Sequence, residues 1–191
     1  MEKEIFYMSI GYPIGLTKNT KGERLFTVDV GNEFIGLYND CYLIWKYCFF
    51  DVKRKEDIIN NFVSQKIMAD LNVALNLEKL VDEGLLLKFD FSSMDTTIKA
   101  LEEFCPVRNG FGVGMLSDEL TFRIVNQGQN FDVSPEDYHV WKHCNNKKSI
   151  LEIIKLVQSE NSLLEKEAKT VVMNSVLRLK TIDLLRISKS N

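Results

Sequence analysis

Tyr42-Leu43-Ile44-Trp45-Lys46-Tyr47-Cys48 returns as Tyr138-His139-Val140-Trp141-Lys142-His143-Cys144, without a gap, at an offset of 96 residues. Both tryptophans of the chain fall on one position of this match. Working outward, Ile5 to Leu16 lies over Phe104 to Met115 at an offset of 99, so that Gly11 and Gly15 face Gly110 and Gly114. Phe26 and Val28 match Phe122 and Ile124, again at 96, and Ile58 and Ile59 match Ile153 and Ile154 at 95. Val73, Leu77, Leu80, Leu85 and Leu86 match Val172, Val176, Leu179, Leu184 and Leu185, back at 99. The offset changes only across loops, as expected of a duplicated supersecondary unit. The chain therefore reads as repeat 1 over residues 1–90, a linker with a short helix over 91–102, and repeat 2 over 103–191.

Each repeat has the same pattern. Apolar residues alternate or cluster over 5–16, 24–30 and 33–37 between turn residues, which predicts a three-stranded β-meander. Gly31-Asn32 and Gln127-Gly128 supply the tight turn before the third strand. Helix one is expected at 40–50 and 135–145, where Ser134 caps and Pro135 takes the first helical position. Helix two is expected near 54–65 and 149–159, with Ser149 and Glu152 as a capping box. Helix three is expected near 68–83 and 163–181, with Ser162 and Glu165 in the same pattern. Val73, Leu77 and Leu80 share one face at i, i+4, i+7, so that face is buried. Leu85 to Leu87 and Leu184-Leu185 close each repeat with a short strand. The expected fold class is α+β: two tandem winged-helix-type domains, each a three-stranded meander, three helices and a closing strand.

The order of Phe34-Ile35-Gly36-Leu37, Tyr42-Leu43-Ile44-Trp45-Lys46, Glu56-Asp57-Ile58-Ile59 and Leu77-Glu78-Lys79-Leu80-Val81-Asp82-Glu83-Gly84-Leu85-Leu86 resembles the PqqD-like family. These are the winged-helix peptide-recognition elements of ribosomally made, modified peptide pathways. The likeness spans roughly 22–89 and, more loosely, 120–187, where Asp183 stands in place of Gly84. It implies a peptide or protein segment bound as an added strand beside the third strand and helix three. The implied residues are Phe34, Ile35, Gly36 and Leu37 on the edge from Glu33 to Leu37, with Val73, Asn76 and Lys79 near the groove. The corresponding edge in repeat 2 is Gln129 to Val133.

Composition and chemistry narrow the rest. Of 191 residues, 45% are hydrophobic and 27% charged, with 10 Gly and 3 Pro, which excludes a disordered or collagen-like chain. A net charge of −3 gives no general attraction to nucleic acid. DNA binding through helix three of repeat 2, by Lys166, Lys169, Arg178 and Lys180, is the alternative partner reading. Helix three of repeat 1 is acidic instead. The runs Lys18 to Arg24 and Lys53-Arg54-Lys55 read as solvated loops. The four cysteines form no C-x-x-C pair and sit among apolar residues, and no signal peptide is evident, so a cytoplasmic location without a membrane partner is expected. His139 and His143 are four apart, which is half of a metal site. No third ligand is identifiable by spacing, so neither a metal nor any other cofactor is expected. Gly110-Phe111-Gly112-Val113-Gly114 lacks the Gly-Lys-Ser/Thr of a phosphate loop and reads as a bend. No nucleophile and base recur between the copies, so the chain is expected not to be an enzyme.

Overall fold

Gly11 divides the expected first strand in two, and the halves enter different sheets. In the computed structural model, which describes residues 4–31, 33–90, 93–117 and 120–189, β1 is Phe6–Ser9 and β2 is Tyr12–Lys18. Gly11 turns the chain at a φ of +89°, and a Cβ there would lie 2.5 Å from the Asp29 carbonyl oxygen. Only glycine tolerates both conditions. The expected single strand over 5–16 is thus corrected, because alternation continues across a bend that changes sheets.

The remaining elements of the first half are β3 (Arg24–Asp29), β4 (Phe34–Leu37), α1 (Asn39–Tyr47), β5 (Lys53–Arg54), α2 (Lys55–Ser64), α3 (Asp70–Asp82), β6 (Leu86–Phe89) and α4 (Met94–Ala100). Strands β2, β3 and β4 form one antiparallel sheet, and β1 lies between β5 and β6 in another. The second half follows with β7 (Phe104–Arg108), β8 (Phe111–Met115), β9 (Phe122–Asn126), β10 (Gln129–Val133), α5 (Pro135–His143), α6 (Ile150–Asn161), α7 (Glu165–Thr181) and β11 (Leu185–Lys189). Here β8, β9 and β10 form the meander and β7 pairs with β11. Gly110 makes the equivalent bend at a φ of +80°, its pro-Cβ direction blocked by the Val125 carbonyl. The protein is a mixed α+β structure of small antiparallel sheets with seven helices among the described residues.

The chain divides into two compact units, Met1–Ala100 and Leu101–Ser190. Helix α4 belongs to the first, with Thr97 and Ile98 buried and the helix packed on β6. In each unit a tryptophan on the first helix occupies the centre of the core. Trp45 donates its Nε1–H to the Ile10 carbonyl at 3.0 Å. Trp141 donates to the Asn109 carbonyl at 3.3 Å and the Leu184 carbonyl at 3.0 Å. Ile10 and Asn109 immediately precede the two bending glycines. Next to each tryptophan a tyrosine bridges to the sheet: Phe26 stacks on Tyr42 at 4.0 Å, and Phe122 on Tyr138 at 4.4 Å.

Helix ends follow local chemistry. Ser134 accepts from the Asp137 N–H at 3.1 Å, and Ser149 and Glu152 cap one another reciprocally. No box forms at Ser162 and Glu165; two residues later Glu167 accepts from the Leu164 N–H at 2.9 Å, a one-sided cap because leucine has no side-chain acceptor. Ser162 is instead the left-handed terminus of α6, at a φ of +52°. The Gln127-Gly128 turn has φ values of +48° and +78°, both positive as a type I′ hairpin requires. Asn32 of its counterpart lies outside the described residues. Gly84 and Asp183 end α3 and α7 alike, at φ of +68° and +57°. The following amides close the same six-residue bond, Leu85 N to Leu80 O and Leu184 N to Leu179 O, both at 2.8 Å.

Two substitutions probe this frame. Gly15 also has a positive φ, +131°, but open space around it, whereas Gly11 is crowded. Gly15→Ala should therefore cost only backbone strain, about 1–3 kcal/mol, and Gly11→Ala about 1–3 kcal/mol more by urea denaturation. Burial, partly countered by a hydrogen bond from Asn109, raises the Asp183 carboxyl above its ordinary value. A raised folded pKa contributes stability below the unfolded value and loses it as pH rises through the folded one. Asp183→Asn, which keeps an αL-tolerant side chain and the acceptor oxygen, should stabilise by roughly 0.5 kcal/mol or more at pH 7. That gain should shrink at a pH near 3.

Candidate binding faces

The β3–β4 register decides which backbone groups of β4 are available. Its pairs are Phe26 with Leu37, Thr27 with Gly36, Val28 with Ile35 and Asp29 with Phe34. The Val30 N–H donates to the Glu33 carbonyl at 3.1 Å, which makes that pair a hydrogen-bonded one. Bonded and non-bonded pairs alternate along an antiparallel ladder. Ile35 and Leu37 therefore spend their N–H and C=O on β3, while Phe34 and Gly36 direct theirs away from it. Among the described residues β4 ends its sheet.

The groove on the outer face of this sheet is mainly apolar in surface: Ile14, Leu25 and Phe34 stand beside Thr17, Asn19 and Thr27 around about 440 Å³ floored by Gly36. Phe34 is 72% exposed. Leu25 lies across Gly36, where a Cβ would meet its Cδ1 at 2.7 Å. The second unit has Thr121, Arg123, Asn130 and Asp132 at the matching positions. There Arg123 grips Asp132 with two bonds, at 2.7 and 2.8 Å, so the inner strands present a polar face, and only Val113 keeps the exposed apolar place of Ile14.

The seven residues implied for peptide binding are not gathered into one groove. Phe34 and Gly36 lie on the outer groove and Ile35 is half-buried. Leu37 and Val73 are core residues, because α3 turns its Val73–Leu77–Leu80 stripe inward. Asn76 accepts from Cys41 Sγ at 3.3 Å and donates to Met68 Sδ at 3.8 Å, bonds made inside the helical layer. Lys79 pairs with Glu83 at 3.9 Å. The part of the implied groove that comes from α3 is corrected accordingly.

The basic set of the second unit is also largely engaged. Lys180 is 4% exposed, which removes it from any phosphate contact. Arg178 clamps the buried Asp137 carboxylate, at 2.7 Å through Nη2 and 3.1 Å through Nε. Lys169 pairs with Glu165 at 2.6 Å, and Lys166 is exposed. In the first unit Lys53 pairs with Asp51 and Arg54 with Glu4. All four cysteines are buried thiols outside any disulfide. Burial raises the thiols of Cys41, Cys105 and Cys144, which opposes thiolate chemistry.

One residue that spacing did not reveal is Glu160. His139 and His143 on α5 both direct Nε2 at its Oε2, at 2.9 and 3.2 Å. Lys142 Nζ stands 3.8 Å from the same oxygen, and Asn161 Nδ2 lies 3.3 Å from His139 Nε2. Burial, with Lys142 nearby, pulls His139 below its ordinary value. For Glu160 burial acts upward, but the hydrogen bond to His143 and the surrounding cations hold the carboxyl below its usual range. His139, Lys142 and Asn161 line a groove of about 540 Å³ with Tyr138, Val157 and Leu163. No motif spacing connects α5 to α6, so the carboxylate could be found only in three dimensions.

The chain matches no family model and no curated protein. Among solved structures, that of PKMT2 from Rickettsia typhi in complex with AdoHcy aligns with 95% of this chain and 42% of that chain, at 15% identity and a TM-score of 0.38. The chain thus spans less than half the length of that protein. In view of this neighbour the expectation that the chain is not an enzyme is withdrawn, and no activity is drawn from it. A likeness this distant assigns no reaction and no AdoHcy site to these residues. No helix among the described residues is long and apolar enough to cross a membrane.

The Arg178–Asp137 clamp separates a structural role from a phosphate-binding one. Arg178→Ala leaves a largely buried carboxylate without its partner and should lower stability by about 1–2 kcal/mol in urea. A DNA-contacting arginine would instead leave stability intact and lower retention of duplex DNA at low salt.

Proposed function

We propose that each unit is a winged-helix-type domain of the PqqD-like kind, and that the first binds an extended peptide or protein segment as a strand added to β4. The observation that carries this reading is the coincidence of two features on one edge. Phe34 and Gly36 point their backbone groups outward, and the same two residues border the apolar groove with Ile14 and Leu25. Backbone bonds along such an edge give affinity, and the groove selects alternate side chains of the added strand. A segment with apolar residues at every second position matches that face.

The divergence between the copies supports placing this role in the first unit. The equivalent edge residues of the second unit are Asn130 and Asp132, and Arg123 closes over the latter. A partner strand there would meet a polar surface already satisfied from within. The DNA alternative draws less support, since three of its four residues are engaged or buried.

The test uses a random peptide library displayed on phage and panned on the full chain, followed by amide chemical-shift mapping with an enriched peptide. Shifts should centre on Phe34, Gly36, Ile14 and Leu25. Phe34→Pro removes an outward N–H and should cut binding at least tenfold, while moving stability by no more than about 0.5 kcal/mol. Ile35→Pro removes a bond to Val28 and should lose both. Failure to enrich any sequence, or equal binding to the Phe34→Pro variant, would sink the reading.

A further inference from the structure

We infer that His139, His143 and Glu160 form a binding site for a divalent transition-metal cation of the zinc class, on the rim of the groove in the second unit. Three acceptor atoms, two imidazole Nε2 and one carboxylate Oε2, converge so that all lie within 4.8 Å of one another. Two of the separations are 2.9 and 3.2 Å. In a tetrahedral zinc site with bonds near 2.0–2.1 Å, ligand atoms stand about 3.3 Å apart. The two histidine ligand atoms lie within 4.8 Å and would have to close to that length around a bound ion.

The donor set fits this class of ion. Imidazole nitrogen with one carboxylate oxygen suits zinc, cobalt or ferrous iron, whereas calcium and magnesium prefer all-oxygen shells. Histidines four apart on one helix face are a recognised zinc-binding spacing. Without metal each imidazole can donate an Nε2–H to Glu160 Oε2, and a cation would take the place of those two protons. The imidazoles are largely buried and the carboxylate half-exposed, so the site is reachable from solvent. Lys142 opposes a cation from 3.8 Å beyond Glu160, but its side chain is 42% exposed and free to turn outward. With three protein ligands, one coordination position remains for water or for an oxygen donor in the groove, which His139 itself lines.

The first unit provides a comparison within the same chain. The matching positions are Leu43, Tyr47 and Gln65, none of which supplies this donor set. The site therefore belongs to one copy alone. It is also separate from the β4 edge, so its failure would leave the peptide reading untouched.

The experiment is a titration of the tag-free, chelator-stripped full chain with Co²⁺ and Zn²⁺. One Co²⁺ should bind per chain, with the intense visible absorption of four- or five-coordinate cobalt, and Zn²⁺ should displace it. Zn²⁺ should also shift the ring-proton NMR resonances of both histidines. His139→Leu, His143→Tyr and Glu160→Gln install the residues of the first unit and so suit the scaffold. Each should weaken binding by at least tenfold, with circular dichroism unchanged. A fully hydrated cobalt spectrum, no saturable binding, or wild-type affinity in either His139→Leu or Glu160→Gln would overturn the site. Should a variant unfold, the wild-type histidine shifts and stoichiometry still decide.

Discussion

An indole N–H bonded to the carbonyl just before a glycine bend holds each unit together. The bend at Gly11 carries the chain from β1, beside β6, to β2, beside β3. A carbonyl at such a corner has left one ladder and not yet joined another, and burying it without a donor would cost about 1–3 kcal/mol. Trp45 supplies that donor from α1 and in doing so fixes the helix to the corner. Around the same point Ser9 N bonds to Cys48 O and Ile10 N to Leu85 O, so the end of α1 and the start of β6 meet there. In the second unit Arg108 N, Asn109 N and Trp141 repeat these bonds with Cys144, Leu184 and Asn109. The position of the tryptophan in the repeat is thus dictated by the corner, and the glycine by the backbone that the corner brings close.

Once that frame is set, the outer face of the meander and the exposed side of the helices carry little of the stability and are open to change. The pair Thr27 and Gly36 became, or arose from, Arg123 and Asp132, which satisfy each other across the same two strands. Leu43 and Tyr47 stand where the second unit has His139 and His143. A glycine at the end of α3 corresponds to an aspartate whose oxygen Asn109 bonds at the same left-handed corner. The strand and helix-face exchanges lie away from the indole bond, and the aspartate joins Asn109 without displacing it, which explains how the copies keep one fold with different surfaces.

What was legible in the sequence follows the same division. Large apolar and aromatic residues repeat because the core repeats, so the duplication, the helices and the buried stripe of α3 can be read from spacing. The split of the first strand could not be read, because hydrophobic alternation runs on through Gly11 and only pairing partners reveal the change of sheet. The β4 edge was legible as an edge but not in its parity. Phe34 and Ile35 look equally suited until the Val30–Glu33 bond shows which of them faces β3. Val73 was misplaced for a related reason: a residue of the buried stripe cannot also line an open groove. Glu160 was illegible, since it reaches the histidines across two helices packed side by side.

The contrast between the two surfaces also says what kind of ligand each tolerates. On the proposed reading, an edge built from backbone groups and a groove of Ile14, Leu25 and Phe34 would recognise a conformation, the extended chain, more than any one side chain. Nothing in it demands charge, and the net −3 of the whole chain does not act on it strongly. The His139–His143–Glu160 cluster has the opposite character, with three directed lone pairs, a carboxylate and a nearby lysine fixed by helices that the core holds rigid. Such a cluster discriminates by charge and geometry at a point. Moving it into the first unit would require three substitutions at once, two on α1 and one just past α2, each of no use without the others. A duplicated chain can accumulate them in one copy while the other keeps its edge, and the absence of all three donors at Leu43, Tyr47 and Gln65 fits that division of labour.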